Sequence, residues 1–142
     1  MPLKIAPGMS GEHVFLVGFD DDGKPGVALL SGQVGNIVSA DPVNVVIVLD
    51  SPSLPTDVDI KQDDGTVVPA GTVSQASGML SIPPGAPNST VNVTGSVRNS
   101  DGTQVLDDTG APVGDLVDVV TIQATPKLLK REGVLFSNAS SA

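Results

Sequence analysis

The chain has 142 residues and a formal net charge of −9, with no Cys, Trp or Tyr and only three Phe. That balance excludes disulfide and thiolate chemistry, and it argues against nucleic acid as a partner, because phosphate recognition needs clustered cations and stacking aromatics. Val-rich aliphatic content, 16 Gly and 12 Pro exclude long helices and predict an all-β chain of short strands and tight turns.

Taken from its first residue, the chain shows no apolar core of signal-peptide length and no run of transmembrane length. This predicts a protein assembled in the cytoplasm, with no membrane partner. Residues 1–11 contain two prolines and read as an extended arm. The following HVFLVGF alternates, with His13, Phe15, Val17 and Phe19 on one face and Val14 and Leu16 on the other. A turn over FDDDGKPG and a returning VALL then predict a hairpin, so residues 1–33 form an N-terminal arm and hairpin.

VNVVIVLD, residues 43–50, is the most apolar run and predicts a central strand covered on both faces. Pro52 and Pro55 behind it must take the chain out of that sheet. TDVDIKQ, residues 56–62, alternates and predicts a strand with Val58 and Ile60 inward and Asp57, Asp59 and Lys61 outward. Asp63-Asp64-Gly65-Thr66 and its near copy Ser100-Asp101-Gly102-Thr103 read as hairpin tips.

Further on, GMLSI over 78–82 is a short strand in which Met79 and Leu80 compete for the core. TVNVTGSV, residues 90–97, sets Val91, Val93, Gly95 and Val97 on one face and Asn92, Thr94 and Ser96 on the other. The last long strand covers 116–125, where Asp118 interrupts the apolar phase of Leu116, Val120 and Ile122; an edge position or a bulge would account for it. About seven such strands at this spacing suit a sandwich. PKLLKRE, residues 126–132, is the only helix-like window.

The succession VNVVIVLD, TDVDIKQDDGTVV, GMLSIPPGAP, TVNVTGSV and VVTIQATP, from residue 34 to 125, resembles a bacterial or phage immunoglobulin-like domain. It departs from that pattern in having Val58 or Ile60 where a core Trp is often found, and in its long 100–114 loop. The resemblance implies an immunoglobulin-like β-sandwich with a structural or recognition role and no cofactor.

Candidate sites are few. His13 is the only histidine, so any Ser-His-Asp hydrolysis must use it; its place beside Phe15, with no nucleophile elbow nearby, predicts a structural role. The Asp20-Asp21-Asp22-Gly23 cluster lacks the closing ligand of a calcium loop and reads as a solvated turn. Asp57 and Asp59 could form a carboxylate pair for glycoside cleavage, but the missing Trp and Tyr argue against a sugar site. No catalytic, cofactor or metal residue is therefore assigned.

The segment 126–142 is expected to dock. It carries Lys127, Lys130 and Arg131 against one acid, Glu132, together with Leu128, Leu129, Val134, Leu135 and Phe136. It either folds back on its own acidic domain or reaches a neighbouring subunit, with Phe136 as anchor.

These readings combine into one expectation: a noncatalytic virion protein that decorates a bacteriophage capsid, binding the major capsid protein or another virion protein, with a homotrimer at a local three-fold as its oligomeric form. Phe15, Phe19, Leu128, Leu129, Arg131 and Phe136 are its expected contacts. An adhesion or spacer module at a bacterial cell surface is the alternative, and a small hydrolase using His13 the third class.

Overall fold

The computed structural model describes residues 3–124, and those residues form strands and turns without a helix. Eleven strands build an all-β, sandwich-like body of several unclosed sheets. Residues 125–142 lie outside the described residues, and with them the expected helical turn and the contacts Leu128, Leu129, Arg131 and Phe136.

The larger sheet has the order β1-β11-β10-β5, from Leu3–Ile5, Leu116–Ile122, Ser89–Asn99 and Gln33–Ser39. β10 is its spine, pairing antiparallel with both β11 and β5. Its period-2 pattern holds as expected: Val91, Val93 and Gly95 are buried while Thr90 and Asn92 face out. The anticipated N-terminal arm is instead part of this sheet, because Leu3, Lys4 and Ile5 pair in parallel with Val120, Thr121 and Ile122.

The facing sheet has the order β2-β9-β6, from Glu12–Leu16, Ala76–Ser81 and Val46–Leu49. Leu80 wins the core position over Met79 and is fully buried. Leu80, Ile82, Ile122 and Val45 are the deepest apolar side chains between the two sheets. Burial of each such side chain is worth about 1.5–3 kcal/mol, so this cluster holds the layers together.

The expected central strand is instead a short edge strand. Only residues 46–49 of VNVVIVLD are strand, and they form the edge β6, with Val48 64 % and Leu49 41 % exposed. The cause lies just upstream. Asp41 Oδ1 accepts the Val43 and Asn44 amides, Asn44 Nδ2 donates to Asp41 Oδ2 at 2.8 Å, and Val45 N donates to the Asp41 carbonyl. Asp-Pro thus nucleates a turn that consumes Val43 to Val45 and drops Val45 into the core.

Two hairpins complete the body. Gly18–Phe19 (β3) pairs with Pro25–Val27 (β4), a shorter return than VALL suggests, and Leu30 is left exposed. Ile60–Lys61 (β7) pairs with Val67–Val68 (β8) around the Asp-Gly tip. The remainder of TDVDIKQ is not strand. Thr56, Asp57 and Asp59 use their side chains on Pro69 O, His13 and Ala70 N, which draws the backbone away from a ladder, and Val58 stays exposed instead of turning inward.

Asp118 is also explained. The β10–β11 register runs without a bulge from Ile122 to Leu116, but β1 reaches only to Leu3 opposite Val120. Among the described residues, 116–119 are therefore an edge, a place where a carboxylate in the inward phase can be tolerated.

Candidate functional surfaces: a strand-edge groove and an acid-free sheet face

A groove of about 470 Å³ follows β2. Residues 11–17 line it without interruption, including inward-facing Val14 and Leu16 and outward-facing His13 and Phe15, so it runs along the edge of β2 that points away from β9. Its opposite wall is Leu3 with Leu116, Asp118, Val119 and Val120, from the part of β11 that lies mostly beyond its pairing with β1. Ile60 and Val68 of the β7–β8 hairpin border its outer side, and Ile37, Val93 and Gly95 its floor. Two strand edges from different sheets thus flank one mostly apolar slot.

The lone imidazole stands in this slot. His13 Nδ1 lies 2.6 Å from Asp57 Oδ2, and its ring centroid is 5.6 Å from that of Phe15. A carboxylate only accepts, so Nδ1 carries the proton. This is the orientation a triad would need, yet none of the described residues lining the groove is Ser, Thr or Cys. The pair joins the segment after β6 to the edge strand β2.

That segment, residues 50–75, is held over the outer face of the β2-β9-β6 sheet by hydroxyl groups. Ser77 Oγ, almost fully buried, donates to Asp50 Oδ2 at 2.7 Å and accepts from Leu54 N at 2.7 Å. Ser74 Oγ donates to Leu54 O, and Thr56 and Thr72 both donate to Pro69 O. These buried hydroxyls carry no signal in sequence, because a Ser or Thr is equally at home in a solvated loop.

The carboxylates proposed from sequence do not converge. Asp57 bonds His13 and Asp59 bonds Ala70 N, so they form no catalytic pair. Asp20, Asp21 and Asp22 place oxygens within 4.8 Å of one another, all on exposed residues. Asp20 Oδ1 already accepts the amides of Asp22 and Lys24, which is turn formation. The same role recurs in other loops. Asp64, Asp101 and Asp107 each accept the amide of a Thr two residues on, and all three carboxyls are held below the usual aspartate range, Asp64 first by the Thr66 amide and Asp101 and Asp107 first by the hydroxyls of Thr103 and Thr109.

The outer face of the four-stranded sheet is of another kind. Register and burial put Val34, Asn36 and Val38 of β5 on it, then Thr90, Asn92, Thr94 and Ser96 of β10, then Val117, Val119 and Thr121 of β11. Val38, Thr94 and Val117 form one cross-strand row, and Val34, Val38 and Val117 are each at least half exposed. Lys4 and Arg98 are the only charges at its outward positions among the described residues. Arg98 makes a bidentate pair with Asp115 at the rim, at 2.7 and 3.0 Å, which raises the guanidinium pKa and lowers that of the carboxyl.

Comparison of the chain with protein-family models, curated proteins and solved structures finds no match. Function is therefore argued from these two surfaces. Of the expected contacts, Phe15 lines the groove beside His13, and Phe19 in β3, 44 % exposed, also borders it. No helix among the described residues is long and apolar enough to cross a membrane. Sequence reasoning missed both surfaces. The acid-free face had a legible signal in the V-N-V and T-V-N-V-T alternation, whereas the groove depends on which strands end up unpaired.

Proposed function

We propose that this chain is a noncatalytic structural protein that works by docking on other proteins, and specifically that it decorates a bacteriophage capsid. The observation that supports docking is the outer face of the β1-β11-β10-β5 sheet. In a chain of net charge −9 it presents rows of Val, Thr and Asn with no carboxylate at any outward position among the described residues. A face rich in β-branched residues, whose charges among the described residues are Lys4 and the Asp115-paired Arg98, packs closely against another flat surface, while the acids around it suppress nonspecific association. A decoration protein needs no further chemistry, since burying surface across joints between capsid subunits raises the cost of separating them.

The capsid assignment itself comes from the resemblance of residues 34–125 to immunoglobulin-like domains of bacteria and phages. Mixing the protein with capsids tests it: co-sedimentation and stoichiometric density by electron microscopy are expected, and Val38→Asp with Val117→Asp should abolish both. Failure to bind any capsid, with attachment to a bacterial surface instead, would replace this reading by the adhesion or spacer module. A homotrimer is the expected assembly, and a monomer in native mass spectrometry at high concentration would remove it.

A further inference from the structure

We propose that the groove along β2 is the seat of an added strand, and that its occupant is this chain's own C-terminal segment, with residues 133–137 (GVLFS) running beside Glu12–Leu16. The proposal is independent of the capsid reading. The groove has the form of a missing strand: among the described residues it lies between an unpaired edge of one sheet and a largely unpaired edge of the other, and side chains from both faces of β2 line it. An extended segment laid there would take up main-chain hydrogen bonds and send alternate side chains to opposite sides. One side is the space between the sheets, floored by Ile37, Val93 and Gly95; the other is the hollow under the β7–β8 hairpin with His13, Phe15 and Ile60.

Length and position favour the C-terminal segment. β11 ends next to the start of β2, since Ile5 pairs with Ile122, Gln123 N donates to Ile5 O, and residues 6–11 then lead directly to Glu12. Residues 125–132 separate Ala124 from Gly133, and eight residues span up to about 26 Å. Packed sheets are only about 10 Å apart, so the segment reaches the groove with slack. Covalent attachment at that end makes it the occupant at the highest effective concentration.

Composition agrees. Val134 and Phe136 share one phase and would enter between the sheets, while Leu135 would face Phe15. Lys127, Lys130 and Arg131 precede them, and the groove carries Glu12, Asp57 and Asp118. Apolar side chains thus meet the apolar slot and cations its acids.

Hydrogen exchange on the full chain tests the idea. Residues 133–137 and the groove-side amides of residues 12–16 should exchange slowly together, and Phe136→Asp should speed both by about tenfold or more while β10 keeps its protection. Free exchange of 133–137 in the parent chain, or no change at 12–16 in the variant, would overturn the proposal. The chain has no cysteine, so Phe15→Cys with Leu135→Cys introduces the only thiols. A disulfide within the monomer is expected at low protein concentration. A disulfide-linked dimer would assign the strand to a second copy, and no disulfide would count against insertion; either refutes the arrangement.

Discussion

Leu16 on β2 closes directly onto Gly95 on β10: a Cβ placed on that glycine would stand 2.6 Å from Leu16 Cδ1. The two sheets meet at this point because one partner has no side chain. Gly95→Val must therefore displace Leu16, which is also packed in the core cluster. We expect a loss of about 1–3 kcal/mol by urea unfolding, the usual cost of overpacking. Leu16→Ala alone should also destabilise, by about 2–5 kcal/mol. The double variant should cost less than the two losses added, since the smaller side chain vacates the space the larger one needs. Strict additivity would mean that the contact carries no energy.

The Ser77 hydroxyl gives a second prediction. It bridges Asp50 and the Leu54 amide beneath the 50–75 segment. Ser77→Ala leaves a part-buried N–H and carboxylate without that partner, at an expected cost of about 1–3 kcal/mol. The loss should be local before it is global. Hydrogen exchange should rise first at Leu54, Thr56 and Thr72, with β10 and β11 unaffected until the whole protein unfolds.

What could be read from sequence follows from how local each cause is. β10 was legible because it pairs on both sides, so its alternation of Val with Asn and Thr records burial directly. VNVVIVLD misled because apolar count outweighed the Asp41-Pro42-Val43-Asn44 turn in front of it, whose hydrogen bonds span only two to four residues and were in principle visible. The hydroxyls under the 50–75 segment and the His13–Asp57 contact were not. The latter joins residues 44 positions apart, and Asp57 looked like one tooth of an alternating strand until Thr56 and Asp59 turned their side chains onto backbone. Of the candidate surfaces, the groove was hidden because a free strand edge is a property of the assembled sheet order.

The His13–Asp57 pair itself should matter little for global stability. Both side chains are substantially exposed, 33 % and 48 %, so solvent screens their attraction. Asp57→Ala should change unfolding free energy by no more than about 1 kcal/mol. Its effect should appear instead in the imidazole. Nitrogen shifts of His13 in neutral solution should report the proton on Nδ1 in the parent chain and a mixture of tautomers in the variant. A large stability loss would mean that the pair clamps the 50–75 segment far more firmly than its exposure allows.

Acid should weaken the protein through its loops. In the folded chain the carboxyls of Asp41, Asp64, Asp101, Asp107 and Asp115 all lie below their ordinary value. For Asp107 the first cause is the Thr109 hydroxyl, followed by the Ala111 amide; for Asp41 it is the Asn44 side chain. A carboxylate whose folded pKa is depressed contributes stability that is complete above the unfolded value, about 3.9, and is lost as pH falls through the folded value. Melting temperature should therefore hold level from neutral pH down to about 5 and then fall steadily below about 4. Asp107→Asn removes the charge while keeping an acceptor for the loop amides, so this variant should lose less on acidification than the parent. A parent curve that stays flat to pH 2, or a variant curve parallel to it, would show that these turn hydrogen bonds do not depend on ionised carboxylates.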